Sequence, residues 1–308
     1  MSSSGEPDWS GLLKWSLNYC DGTTKPQELP AEERAWLEAA MKDQVIDEVS
    51  VMKQINGFLS KEAEEGVSEA ELVETKEELL EELQDIVDSI DRARDLTSIG
   101  GFPVLMELLS SRHEGLRWRS AEVIATSVQN NPPVQQWALD QAALPALICL
   151  CSDPVETCKV KALLALSCLI RGHEPAQNAF RESEGLQLLC KLVTSEDTKV
   201  GRKAVQLLRH LLRDNVSEYQ AAVDLNLLDS LRNLVASSDM MVREQALQLL
   251  LECCSQDNIV SKVQALPGLQ STLQARLKEI SSMDKEDQEA SREEQSAITR
   301  LISSVFTS

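Results

Sequence analysis

A chain of 308 residues with a formal net charge of −20 and 4% aromatic residues is long enough to bury a sizeable core. Its acidic balance argues against nucleic acid as a partner, because phosphate binding needs a basic footprint, and its apolar runs fall short of the ~20 residues of a spanning helix. Abundant Leu, Ala, Glu and Gln against 12 glycines favour helices and give little support to a sheet.

In chain order, the first eight residues are polar and do not form a signal peptide. "GLLKWSL" follows from Gly11, where Leu12, Leu13, Trp15 and Leu17 are too few for a stable isolated helix. "DGTTKPQELP" then reads as a flexible linker, so residues 1–28 are expected to be a flexible segment with one short apolar motif. Residues 29–85 are expected to form a helical cap, begun by Pro30, and an acidic helix. Between Lys61 and Asp95 acidic residues outnumber basic ones 14 to 4, which reads as a solvated face.

From residue 86 the sequence repeats itself every 42 residues. "PVLMELLSS" at Pro103, "PALICLCSD" at Pro145, "QLLCKLVTS" at Gln187 and "DSLRNLVAS" at Asp229 are in register. Leu105, Leu147, Leu189 and Leu231 recur, as do Leu108, Leu150, Leu192 and Leu234, and Leu-x-x-Leu sets both side chains on one helical face. A longer helix follows in each unit, with Ala121, Ala162, Ala204 and Ala246 where neighbouring helices approach. Pro133, Pro175 and Ser217 suit the first turn or cap of each new unit. The pattern predicts an all-α, right-handed armadillo-repeat solenoid with helical caps, in which stacking hides the apolar face of each unit. Four repeats are expected over 86–256. A degenerate C-terminal unit or cap is expected over 257–308, interrupted by a charged insertion from Asp284 to Glu294.

Chemistry is sparse. Cys149, Cys151, Cys168, Cys190, Cys253 and Cys254 lie in apolar helical stretches and read as small buried hydrophobes in a reducing compartment. His113, His173 and His210 fall in separate units, without a nucleophile, a paired-carboxylate motif or metal spacing. No enzyme activity, cofactor or metal is expected.

One pattern stands out against the acidic background. The first turns of the long helices carry Arg117 and Arg119, then Lys159 and Lys161, then Lys199, Arg202 and Lys203, then Arg243. The helix dipole disfavours cations there, so the column is expected to form a partner surface on the concave groove. The competing expectation is that each cation bonds carbonyls of the preceding unit. Trp118 either faces the groove or packs between units one and two. Asn130 and Arg171 lie at the far ends of these helices, where Asn130 either contacts a partner's backbone or simply ends its helix.

Several blocks carry a resemblance that covers nearly the whole chain: "DWSGLLKWSLNYCDGT", "LPAEERAWLEAAM", "IDRARDLTSIGG", "LRWRSAEVIATSVQNNP" and "KVKALLALSCLIRGH". In this order they resemble the armadillo-type nucleotide exchange factors of heat-shock protein 70, the Hsp70-binding-protein family. The resemblance implies a co-chaperone that grips the ATPase domain of cytosolic Hsp70 with its concave face, so that ADP leaves, ATP enters and the client is released. It implies a contact set of Ala93, Arg117, Arg119, Asn130, Lys161, Arg171 and Lys203, with Arg243 less securely matched. It also suggests that Leu12, Leu13, Trp15 and Leu17 mimic a client in the chaperone's peptide-binding domain, the alternative being that they cap the solenoid. A monomer in the cytosol is expected, with the nucleus a second address and no membrane partner. The competing function is a general armadillo scaffold that holds an extended peptide or partner protein in its groove.

Overall fold

The computed structural model describes residues 31, 32, 34, 47–62 and 68–306, which fall into two compact units, Met1–Val51 and Met52–Ser308. The apolar motif of Leu12, Leu13, Trp15 and Leu17 lies outside the described residues. In the first unit, Asp47 accepts the Ser50 N–H at 3.2 Å, closing the first turn of α1 (Glu48–Leu59). The second unit holds no strand among its described residues.

Met52, Ile55 and Leu59 of α1 are buried, three and four residues apart as one helical face requires. In α2 (Glu69–Val87) the same spacing buries Lys76, Leu80, Leu83 and Val87. The Lys76 Nζ donates to the Lys61 carbonyl at 2.6 Å.

Four helix triplets follow. The first is α3 (Ile90–Ser98), α4 (Gly101–Leu108) and α5 (Glu114–Val128). The second is α6 (Pro132–Asp140), α7 (Ala143–Leu150) and α8 (Glu156–Ile170). The third is α9 (Glu174–Glu182), α10 (Gly185–Leu192) and α11 (Thr198–Asp214). The fourth is α12 (Glu218–Asp224), α13 (Leu227–Val235) and α14 (Met240–Cys253). The long helices α5, α8, α11 and α14 pack side by side in order, α2 packs on α5, and α14 packs on the C-terminal helices. The fold is an all-α solenoid.

Its core is the repeated set. Leu105, Leu147, Leu189 and Leu231 are fully buried, and so are Ala121, Ala162, Ala204 and Ala246, which leave room for the adjacent long helix. Leu108 and Leu150 are buried, while Leu192 and Leu234 are half-buried. Pro133 and Pro175 lie in the first turns of α6 and α9, where a missing N–H leaves no bond unmade. Ser217 occupies the cap position of α12 but donates its hydroxyl to Asn215 Oδ1 instead.

The turn between the first and second helix of each triplet has an invariant backbone. Gly100, Ala142, Glu184 and Asn226 all adopt positive φ, at 77°, 59°, 59° and 64°. Gly268, with φ 76°, continues this series. It precedes α16 (Leu269–Ser282), which follows α15 (Asp257–Gln264), so the repeat geometry extends one unit further. The charged insertion expected from Asp284 to Glu294 lies between α16 and the last helix. It forms α17 (Lys285–Ala290) and enters α18 (Arg292–Val305), with Glu294 fully buried.

Candidate partner-binding face

The fourth residue of each long helix is Arg117, Lys159, Gly201 or Arg243, and the sixth is Arg119, Lys161, Lys203 or Gln245. These two columns have different neighbours.

The fourth-residue column is structural. Arg117 donates to both oxygens of Asp153 at 2.7 and 3.0 Å and to the Ser111 and Arg112 carbonyls at 2.9 and 3.2 Å. Arg243 repeats this geometry on the Ser237 and Ser238 carbonyls, both at 3.0 Å, and on Glu294 at 2.6 and 2.9 Å. Lys159 reaches Asp197 in the next repeat. Burial pushes the Asp153 carboxyl up, but hydrogen bonds from Arg117 and the Val155 N–H hold it below the usual carboxylate range. For Glu294, likewise, burial is outweighed by hydrogen bonds from Arg243 and Arg276. Arg117 and Arg243, expected on a partner surface, are thus held by groups within the chain. Both reach back to carbonyls before their own helix and forward to a carboxylate, and Arg243 is only 7% exposed. Ala93, also in the expected contact set, lies on the buried side of α3 at 1% exposure.

The sixth-residue column is more accessible. Arg119 pairs with Glu77 at 2.9 Å and Glu81 at 2.8 Å, so the acidic α2 is not merely a solvated face. Its guanidinium lies 4.1 Å from the centre of the half-buried Trp118 ring, and Lys161 Nζ lies 5.6 Å from it. Trp118 thus sits between cations of two successive repeats. Lys161 also pairs with Glu122. Lys203 differs, because among the described residues it makes no hydrogen bond or ion pair.

Arg171, at the end of α8, is exposed, and among the described residues its guanidinium hydrogen-bonds only the Ser167 hydroxyl, at 3.4 Å. Burial pushes the Cys168 thiol up while the charges of Arg171 and Lys203 draw it down. His210 is held below the usual histidine range by burial, then by Arg171 and Arg213. At the ends of α8 and α11, Arg171 and His210 thus lie near Arg213, which with Arg209 pairs with Glu252, while Lys203 stands in the second turn of α11. Asn130 is exposed with φ 52°, the left-handed helix end that Gly172 occupies one repeat on.

One residue, Gln135, escaped the sequence reading, and the buried role of Asn131 was not foreseen. Gln135 donates to the carbonyls of Cys168, Leu169 and Arg171 at 2.8–3.1 Å, fixing the end of α8 that presents Arg171. Asn131, fully buried, donates to the Ile90 carbonyl at 3.1 Å and accepts from Arg94 at 3.3 Å. The recurrence of glutamine at 135 and 177 was the available signal for the former.

The cysteine expectation is adjusted: Cys151, Cys190 and Cys253 are buried, Cys168 and Cys254 half-buried, and Cys149 exposed. Burial pushes the Cys151 thiol up to about 12 and Cys190 to about 11, which leaves both unreactive. Among the described residues no group of three or more His, Cys, Asp or Glu is placed to hold a metal ion. Nor is any helix among them long and apolar enough to cross a membrane.

The fold matches solved armadillo proteins. A designed armadillo repeat protein superposes with TM-score 0.60 at 18% identity, covering 80% of this chain and 99% of its own. A second, computationally designed for modular peptide recognition, gives TM-score 0.63 at 18% identity, covering 82% and 99%. The class is thus an armadillo-type solenoid. The family is more particular. Residues 92–233 match the SIL1/FES1/HPBP1 C-terminal domain, and residues 9–96 match a family described as nucleotide exchange factor Fes1. Hsp70-binding protein 1 of Rattus norvegicus is 33% identical over 183 residues, 57% of this chain and 51% of the relative. Hsp70 nucleotide exchange factor FES1 of Coccidioides immitis is 30% identical over 170 residues, 54% of this chain and 79% of the relative. The chain belongs to the SIL1/FES1/HPBP1 family, and its match spans about half the length of the rat relative, 51%.

Proposed function

We propose that the chain is a nucleotide exchange factor for Hsp70. It binds the chaperone's ATPase domain along the long-helix row of the solenoid and accelerates ADP release, so that ATP rebinds and the client is let go. Family membership supports the activity, and one observation carries the choice of surface. Among the described residues Arg171 and Lys203 are the cations of the expected contact set without an ion-pair partner, whereas Arg119 and Lys161 are paired with Glu77, Glu81 and Glu122. A factor that binds the nucleotide-free chaperone better than its ADP form weakens ADP binding by the same ratio, so binding alone does the work. Buried free thiols are consistent with a reducing compartment, and we place the protein in the cytosol, acting as a monomer. The apolar motif at Leu12, Leu13, Trp15 and Leu17 is proposed to enter the chaperone's peptide-binding domain.

Stopped-flow release of a labelled ADP from Hsp70 tests the reading. Acceleration by the wild-type chain is expected, and its absence would sink the proposal. Deleting residues 1–25 should spare ADP release and slow client release. Two unchanged rates would remove the role given to the motif.

A further inference from the structure

In three of four repeats the fourth residue of the long helix is a cation that bridges to the next unit, and in the third repeat it is Gly201. No side chain leaves the helix there. A cavity of about 220 Å³ lies between repeats three and four instead, bordered by Ser195, Glu196, Gly201, Val205, Leu234 and Gln245.

The acceptors of that position remain. Ser195 and Glu196 precede Gly201 by the same intervals at which Ser111 and Arg112 precede Arg117, and Ser237 and Ser238 precede Arg243. In those two repeats the carbonyls accept from the arginine. Among the described residues no hydrogen bond reaches the Ser195 or Glu196 carbonyl. Gln245 Oε1 is buried and likewise accepts none. The carboxylate in register with Asp197 is Asp239, whose Oδ1 caps the Met241 and Val242 N–H groups at 2.8 and 3.3 Å. The cavity therefore combines three hydrogen-bond acceptors, apolar walls for an aliphatic stem, and the exposed Glu196 at its edge.

We propose that this cavity receives an arginine side chain of the partner, its guanidinium lying where Arg117 and Arg243 lie in their own repeats. A planar fork of five N–H donors can span separated acceptors, whereas an ammonium is a compact point donor. The occupant is the ATPase domain of the chaperone, because Gln245 is the fourth member of the column that contains Arg119, Lys161 and Lys203, so the cavity continues the proposed face. That assignment of partner rests on the exchange-factor reading, whereas the cavity's chemistry does not. Arg202 also borders the cavity and is the competitor within this chain.

The test has two arms. In the first, Nα-acetyl-arginine methylamide is titrated into the isotope-labelled full chain and followed by NMR. Shifts at Ser195, Gly201 and the Gln245 side-chain amide are expected, with the uncharged citrulline analogue at least about tenfold weaker. Gly201→Arg should fill the position from within, abolish these shifts and raise Tm by about 2–4 °C. Gly201→Ala keeps the cavity and separates helix propensity from filling, although its Cβ would stand 3.3 Å from the Val193 carbonyl oxygen. Undiminished binding to Gly201→Arg, equal binding of the citrulline analogue, or binding seen only after Arg202→Ala would overturn the proposal. In the second arm, Gly201→Arg should bind the ATPase domain about tenfold more weakly than Gly201→Ala, and equal affinities would overturn the occupant. If the wild type itself fails to bind that domain, the functional reading fails, while the first arm still reports on the cavity.

Discussion

Arg117 clasps Asp153 through Nε and Nη2 at 2.7 and 3.0 Å while its Nη1 holds two carbonyls ahead of its own helix, so one side chain joins the loops of two successive repeats. The Arg117 and Asp153 side chains are 13% and 8% exposed, which limits solvent screening. Arg117→Ala should destabilise the chain by about 2–3 kcal/mol, the range for lost hydrogen bonds to charged groups. Arg117→Lys should recover part of this, as Lys159 serves the same position opposite Asp197. Urea unfolding monitored by circular dichroism measures both. An Arg117→Ala variant as stable as wild type would show that the clasp contributes nothing.

Glu294 is the more demanding case, because it is fully buried and shared by Arg243 and Arg276. Glu294→Gln leaves two guanidinium groups facing a neutral amide and should cost about 3–5 kcal/mol, as expected when one partner of a buried ion pair is removed. The loss should appear first as increased hydrogen exchange in α18 and α14. Loss confined to α18 would mean that the ion pair does not couple the C-terminal helices to the fourth repeat.

The functional cluster makes the opposite demand. Lys203→Glu with Arg171→Glu should reduce acceleration of ADP release at least about tenfold while leaving the unfolding midpoint nearly unchanged, because neither cation has a carboxylate partner to lose. Arg117→Ala provides the contrast, with lower stability and near-normal exchange at a temperature where it is folded. Full exchange activity in the double variant would move the contact surface elsewhere.

How much of this was legible differs between backbone and side chains. The 42-residue register was readable because burial acts on every repeat alike, and Leu105, Leu147, Leu189 and Leu231 are all fully buried as their spacing predicts. The basic column was visible too, but its meaning was not. Separating the position of Arg117 from that of Arg119, two residues apart, needs the carboxylates contributed by other repeats, and Asp153 and Glu294 lie 36 and 51 residues from their arginines. The positive-φ turns at Ala142 and Glu184 carry no glycine to announce them, because tertiary packing imposes the backbone there against local preference. For Ala93 the limit is different: a resemblance transfers a position without its exposure, which is 1% here.

Those turns give a prediction of their own. Glu184 holds φ 59° at the cap of α10, a conformation that disfavours a side chain by about 1–2 kcal/mol, and its side chain does not cap the helix. Glu184→Gly should therefore stabilise the chain by roughly 0.5–1 kcal/mol after the added freedom of the unfolded glycine is deducted. Gly100 and Gly268 show that the backbone accepts glycine at this position. A destabilised Glu184→Gly variant would mean that the glutamate makes a contribution larger than its backbone strain.

The histidines set the acid limit of the neutral range. His173 Nδ1 accepts the Ala176 N–H at 3.3 Å and caps α9, which requires the neutral ring, and burial holds its pKa below the ordinary 6.5. His210 is lowered by burial and by the neighbouring arginines. In both, the folded state binds protons less readily than the unfolded chain. Their contribution to stability is therefore complete above about pH 6.5 and is lost as pH falls towards the folded values. The urea midpoint should decline from pH 7.5 to 5.5, and His173→Asn, which keeps a capping oxygen, should decline less steeply. Because His210 lies beside Arg171, protonating it adds charge to the proposed contact face, so Hsp70 affinity should change over the same interval in wild type but not in His210→Gln. An unchanged slope in His173→Asn would assign the acid sensitivity of this interval to His210, because the carboxylates that Arg117, Arg243 and Arg276 hold below their usual range lose their contribution only at more acidic pH.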